Sequence, residues 1–362
     1  IALQASLGPY FREDLPIADV ETPGAATVLS DPGTISVEVG KLAMHLLDRR
    51  IVGADWLQAP ESPAASGPPR LVFASLKGGV GRSTAISVVA ADAARRGQNV
   101  LVVDLDLEAP GVGSMLLDEE RRPPFGALDY LVEASLSEIV DEELAQFVGT
   151  STLTDGAGQV DVVPVFGRST VAHPSGYMAK LSRAMIEAVQ AGGGTVSVRD
   201  RLRAMLDRLA TRRAYDLVLV DARAGMAELT AGPLLGLGAS TVFLFATAQP
   251  QSVEAYRFLF AHLATLVAGP PSPWGSLQMV HAKASLDDGS HLRLTVELWS
   301  LFSEYLYEEM TGAEGLNFDV SDPNAPHAPI PILFDGKFTD WDPVKKPTQL
   351  SKGAYEATFG GL

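Results

Sequence analysis

The stretch FASLKGGVGRST, Phe73–Thr84, ends an apolar run on three glycines and a Ser-Thr pair, and an alanine-rich segment with helical spacing follows it. Strand, glycine loop and helix N-terminus therefore come in order. Gly78, Gly79 and Gly81 let the backbone take positive φ and turn its N–H groups inward, while the helix start adds partial positive charge. A loop of this kind, running from Gly78 through Val80 and Arg82 to Thr84, cradles the phosphates of a nucleotide. In such loops the hydroxyl at the place of Ser83 reaches Mg²⁺, and that of Thr84 lies near a phosphate. A plain strand-to-helix turn would not need all of these features at once. The odd letter is Arg82, which stands where such loops put a lysine, with Lys77 five positions earlier.

After Arg70 the chain alternates between two kinds of segment. LVFASL, NVLVVDLD, QVDVVPVF, YDLVLVDA, STVFLFAT, LQMVHAKA and PIPILF are nearly continuous in apolar residues, as strands buried on both faces are. STAISVVAADAARRG, VSVRDRLRAMLDRLATRR and QSVEAYRFLFAHLATLVAG carry helical spacing and end near glycine or basic residues. The pattern predicts an α/β fold over residues 70–362, a doubly wound, mostly parallel β-sheet flanked by helices. Ligand chemistry is expected at the carboxyl ends of its strands.

Residues 1–58 read as a helical lead-in or partner-binding segment, because Val39, Leu42 and Leu46 recur on one helical face of ISVEVGKLAMHLLDRRI. Residues 59–69, rich in Pro, Ala and Ser, read as a linker or as a loop draped over the next domain. The chain opens on Ile1, as a fragment of a longer protein would.

Composition excludes several classes. With 362 residues and 46% apolar content the chain can bury a sizeable core. A formal net charge of -16 repels phosphate backbones and anionic membranes, so nucleic-acid contact is not favoured. The one basic cluster, Arg199, Arg201, Arg203, Arg208, Arg212 and Arg213 around an inward stripe of Leu202, Leu206 and Leu209, reads as a solvated helix face before it reads as a nucleic-acid patch. No cysteine is present, which removes disulfides and thiolate chemistry, and the six histidines lack metal-ligand spacing. No apolar run is long enough for a bilayer and no signal-peptide pattern opens the sequence, so a cytoplasmic setting is expected.

Asp104 and Asp106 lie two residues apart at a strand exit, on one side of it. Two carboxylates aimed at one place repel unless a cation or an activated water lies between them. A third aspartate, Asp221, closes the apolar run of YDLVLVDARAG. Beside a phosphate loop and in this chain order, the three point to a metal-nucleotide site.

KGGVGRST resembles the deviant Walker A motif of the ParA/MinD class of P-loop ATPases, KGG-x-G-K-[ST], whose signature lysine comes first. The resemblance spans roughly residues 70–340, and its glycine loop and D-x-D are the specific parts. It implies that Lys77 reaches across an ATP-sandwiched homodimer to the partner's phosphates. Arg82 then replaces the in-cis lysine, keeping the charge but exchanging a compact ammonium for a planar fork. Asp104 would support Mg²⁺ through water, and Asp106 would position the attacking water. Asp221 would hold Mg²⁺ indirectly, with Gly225 letting its loop respond to the γ-phosphate. Gln249 and Pro250 fall where the family lines the base, and read equally as a turn and helix cap. His281 or Lys283 stands where relatives often carry an adenine-reading asparagine.

The implied function is a slowly hydrolysing Mg-ATP switch, with Lys77, Arg82 and Asp106 as its catalytic residues. It would dimerise on ATP and control an unidentified protein partner or assembly, in a partitioning, positioning or regulatory role. A nonhydrolysing ATP-bound scaffold is the alternative that Arg82 motivates, and a phosphate-passing ligase ranks behind both. The complete acidic set favours the working ATPase. The tail LSKGAYEATFGGL lacks the basic amphipathic character with which MinD-type proteins dock on membranes.

Overall fold

The computed structural model describes residues 34–39, 42–47, 53–63, 66–153, 157–189, 195–266, 272–285, 288–308 and 316–362. Two compact units divide at Gln58 and Ala59. In the first, β1 (Thr34–Val39) and β2 (Leu42–Leu47) form an antiparallel pair with Val39 opposite Leu42, followed by a short 3-10 turn over Ala54–Leu57. The helix expected across this segment is therefore a hairpin. Ile35, Val37 and Val39 alternate with polar residues, and that period of two outweighs the coincidental helical spacing of Val39, Leu42 and Leu46.

The second unit opens at Ala59, and in its first described stretch, residues 59–63, the Glu61 N–H bonds to the Leu235 carbonyl. Then come β3 (Arg70–Ser75), α1 (Arg82–Arg95), β4 (Val100–Asp104), α2 (Val112–Leu116), α3 (Ala127–Glu133), β5 (Gly149–Thr150) and β6 (Val160–Val163). Next are α4 (Arg168–Ala172), α5 (Tyr177–Ala184), a small hairpin of β7 (Ala188–Val189) and β8 (Thr195–Val196), α6 (Val198–Arg212) and β9 (Leu217–Ala224). The order ends with α7 (Glu228–Ala231), β10 (Thr241–Ala246), α8 (Pro250–Leu263), β11 (Leu277–Ala284), α9 (Asp288–Tyr305), β12 (Ile330–Leu333) and α10 (Lys352–Phe359).

The main sheet has eight strands in the order β12-β11-β10-β3-β9-β4-β6-β5, parallel except where β5 meets β6 at the edge. It is the expected fold with one short antiparallel edge strand added. Every residue of β4 and β6 is buried, which is why these runs read as continuous apolar sequence. α1 packs through small side chains, Ala85, Ala90, Ala91 and Ala94, all inaccessible to solvent, so its axis comes close to the strands. Phe73 stacks with Phe243 and Phe245 at centroid separations of 5.1 and 6.1 Å, tying β3 to β10.

Two features of this topology position the site. From β3 the chain crosses through α1 to β4, leaving room between them for β9, so the carboxyl ends of β3, β9 and β4 lie side by side. Asp104, the last residue of β4, and Asp221, within β9, are then direct register partners.

The arginine-rich helix α6 differs from expectation. Arg199 and Arg201 are buried, and Arg201 donates to the carbonyls of Leu131, Ala184 and Ile186. Arg203 pairs with Glu61 and Asp200, Arg208 with Asp141, and Arg213 with Asp161. These guanidinium groups serve as internal counter-ions and carbonyl caps, and they do not form a free basic face. Among the described residues no helix is long and apolar enough to cross a membrane.

Candidate functional site

The loop after β3 adopts the backbone its glycines permit. Gly79 and Gly81 have φ of 71° and 89°, and Gly81 caps α1 in the left-handed region. A Cβ built on Gly78, Gly79 or Gly81 would meet nothing within 4 Å, so the inner face of the loop is open. It borders a cleft of about 810 Å³ lined by Gly78–Thr84, Asp106, Glu108 and Arg223 on one side. Lys283, Phe334, Phe338, Trp341 and Phe359 stand among its other lining residues.

At the base of the loop Arg82 is buried, 6% exposed, and its fork is fully oriented. Nη1 donates to Ser75 Oγ at 2.9 Å, Nη2 to Asp106 Oδ2 at 2.7 Å, and Nε to Asp221 Oδ1. Burial opposes the guanidinium charge, but Asp221 and Asp106 outweigh it and hold the pKa above its ordinary value. Ser83 Oγ donates to Asp221 Oδ2 at 2.5 Å, so both oxygens of that carboxylate are engaged. Asp221 has no solvent exposure; burial pushes its pKa up, and Arg82 and Ser83 pull it back.

Asp104 is turned to its own loop. Oδ1 accepts from the Asp106 N–H, and Oδ2 from the N–H groups of Gly111 and Gly113, each at 3.2 Å. Burial first and the Asp221 carboxylate second push its pKa up to about 8 against these three bonds. The same loop is anchored from α5, where the Tyr177 hydroxyl donates to the Leu107 carbonyl.

Lys77 is half-buried and does not line the cleft. Among the described residues no hydrogen bond or ion pair is recorded for its ammonium. Gly225, with φ 91°, bonds through its N–H to the Ser75 carbonyl, which fixes the loop after Asp221 against the end of β3.

The residues expected on the base side are spread over β11 and the start of α8. Gln249 caps α8 and Pro250 is its first residue, and neither lines the cleft. His281 is buried against α9, its ring stacked on His291 with Nδ1 atoms 3.0 Å apart. Lys283 does line the cleft, with φ 55°, an uncommon backbone for a side-chain-bearing residue, at the irregularity where β11 pairs with β12. The aromatic residues Phe334, Phe338 and Trp341 went unnoticed. The only sequence signal for them is the aromatic density of LFDGKFTDW after the last strand.

The His281–His291 pair carries a pH dependence. Burial first and His291 second lower the His281 pKa to about 4, from an ordinary value near ~6.5. Between these values the unfolded chain binds a proton that the folded chain does not, so this contribution to stability is present above pH ~6.5 and is lost as pH falls toward 4. The His281→Gln variant is expected to show a flatter stability loss than the parent over that window in urea titrations. The comparison of variant with parent removes the opposing trend from Asp104.

The donor set bears on a metal. Among the described residues no group of three or more His, Cys, Asp or Glu could hold one alone. Ser83 Oγ, donating its hydrogen bond to Asp221, keeps oxygen lone pairs for a hard cation. These residues fit a magnesium ion that arrives with a nucleotide's phosphates.

Residues 71–237 match the model of the CobQ/CobB/MinD/ParA nucleotide binding domain. Comparison with curated protein sequences finds no match. Among solved structures, the chain is similar to a ParA family ATPase from Chlorobium tepidum TLS at 17% identity, covering 80% of this chain and 96% of that one with a TM-score of 0.49. It is similar to apo McdA from Cyanothece at 14% identity, covering 81% and 97%, TM-score 0.49. A cobyrinic acid a,c-diamide synthase from Mycobacterium smegmatis, with ADP and magnesium bound, matches at 18% identity over 66% and 83%, TM-score 0.43.

Proposed function

We propose that this protein, whose residues 71–237 match the model of the CobQ/CobB/MinD/ParA nucleotide binding domain, is an Mg-ATP-dependent switch that hydrolyses ATP slowly and acts as a homodimer on a protein partner or assembly. The observation that carries the reading is the open glycine loop, with Ser83, Asp106 and Asp221 gathered around Arg82 at its base. Backbone N–H groups of Gly78–Thr84 and the start of α1 receive the triphosphate. Ser83 Oγ would hold a magnesium ion, with Asp221 and Asp104 behind it, and the ion would supply positive charge against the phosphates. Asp106, facing the cleft, orients the attacking water. The base lies toward Lys283 and the aromatic wall, and Lys77 serves the partner subunit's nucleotide. A partitioning, positioning or regulatory role fits such a switch.

The test separates binding from turnover. ATP is expected to bind wild type and Asp106→Asn with similar affinity, while the variant's turnover falls on the order of 10²-fold or more. Wild type that binds no nucleotide in calorimetry overturns the proposal. The Arg82–Asp106 ion pair favours a second reading, a scaffold that keeps ATP intact because the water-positioning carboxylate stays occupied. Steady turnover abolished in Asp106→Asn excludes that reading.

A further inference from the structure

We propose that Arg82 takes over the bridging of phosphate to the buried carboxylates, so that a nucleoside triphosphate binds this loop without a divalent cation. The inference rests on the function proposed above and concerns what holds the ligand; magnesium keeps its part in the chemistry.

In a phosphate site with buried aspartates, the approaching polyanion meets like charge, and a divalent cation ordinarily stands between the two. Here a side chain already stands there. The guanidinium touches Asp221 through Nε and Asp106 through Nη2, and Ser75 Oγ fixes Nη1. A guanidinium has five N–H donors, and these three bonds use three of them. One hydrogen on each terminal nitrogen remains for a ligand, and Arg82 is itself part of the cleft lining. The fork therefore links carboxylates and incoming phosphate through one rigid, permanently charged group.

A lysine could not do this. Its three donors radiate from a single nitrogen, so reaching Ser75, Asp106, Asp221 and a phosphate at once exceeds both their number and their span. The odd letter of the loop thus supplies a different property. The neighbouring groups agree with that role. Ser83 donates to the other oxygen of Asp221, so each oxygen of that carboxylate has a protein donor. The N-terminus of α1, a helix of 14 residues whose first residue is Arg82, adds its partial positive charge to the same spot.

The experiment is calorimetric titration of ATP into wild-type protein and Arg82→Lys, each in excess magnesium and in excess EDTA. For wild type the two dissociation constants are expected to agree within about threefold, under ~1 kcal/mol. For Arg82→Lys, affinity in EDTA is expected to fall at least about tenfold while affinity in magnesium is largely kept. Wild type that binds in magnesium but loses tenfold or more in EDTA overturns this inference and leaves the proposed function intact. No binding in either condition overturns both. The wild-type comparison decides the matter even if Arg82→Lys fails to fold. A third arm with ADP shows whether the γ-phosphate is the group bridged: equal cation independence for ADP assigns the two free N–H donors to the β-phosphate.

Discussion

Replacing Asp221 with alanine destabilises the nucleotide-free protein by about 3–5 kcal/mol, the range seen when one partner of a buried ion pair is removed. The reason lies with the survivor. Arg82, only 6% exposed, keeps its charge and loses its strongest attraction, while Ser83 loses its acceptor. Asp106 alone remains opposite the guanidinium, at the edge of the cleft. Urea denaturation read by circular dichroism measures the effect. The double variant Asp221→Ala, Arg82→Met is expected to recover a large part of the loss, because no buried charge is left unmatched. A double variant no more stable than Asp221→Ala would show that packing at the end of β9, and not charge, sets the penalty.

The second large effect is kinetic. Lys77→Ala is expected to bind ATP as wild type does and to lose turnover by about 10³-fold, the lower end of what a charge supplied to the transferring phosphoryl group contributes. Binding survives because Lys77 does not line the cleft of its own chain. Mixing Lys77→Ala with Asp106→Asn subunits tells where the lysine acts. If it acts in trans, a mixed dimer has one site with a native Asp106 and a native partner lysine, so turnover returns. If it acts in cis, both sites stay defective and the mixture is as inactive as its components.

Much of the frame was legible because its physics is local. β4 and β6 are buried on every residue, so their sequences could only be apolar, and the helices between the strands show their period plainly. The glycine loop was legible for the same reason, since backbone turned toward a ligand leaves glycines in fixed places. Two local misreadings came from competing periods and short elements. The first hairpin was taken for a helix, and β5, of two residues, carries too little sequence to be seen. The remaining gaps were distant in the chain. Nothing near Gly81 says that Phe338, Trp341 and Phe359 will face it across the cleft. The arginines of α6 looked like a surface because their partners, Glu61, Asp141 and Asp161, lie far off in sequence. Arg82 is the sharpest case: its letter alone motivates a nonhydrolysing scaffold, and its partners Asp106 and Asp221 lie 24 and 139 positions away.

The last helix has a consequence for how the protein comes to be made. The Tyr355 hydroxyl accepts from Arg95 and donates to Asp92, both at 2.9 Å, so α10 grips the outer end of the very helix that begins at the phosphate loop. Phe359, a few residues on, lines the cleft. These contacts join residues 263 and 260 positions apart. During vectorial synthesis, with domains forming as units from the N-terminal side, the loop and its aspartates emerge long before the wall that faces them. Until residues 332–359 follow, the phosphate loop stands without the aromatic side chains that line the cleft with it.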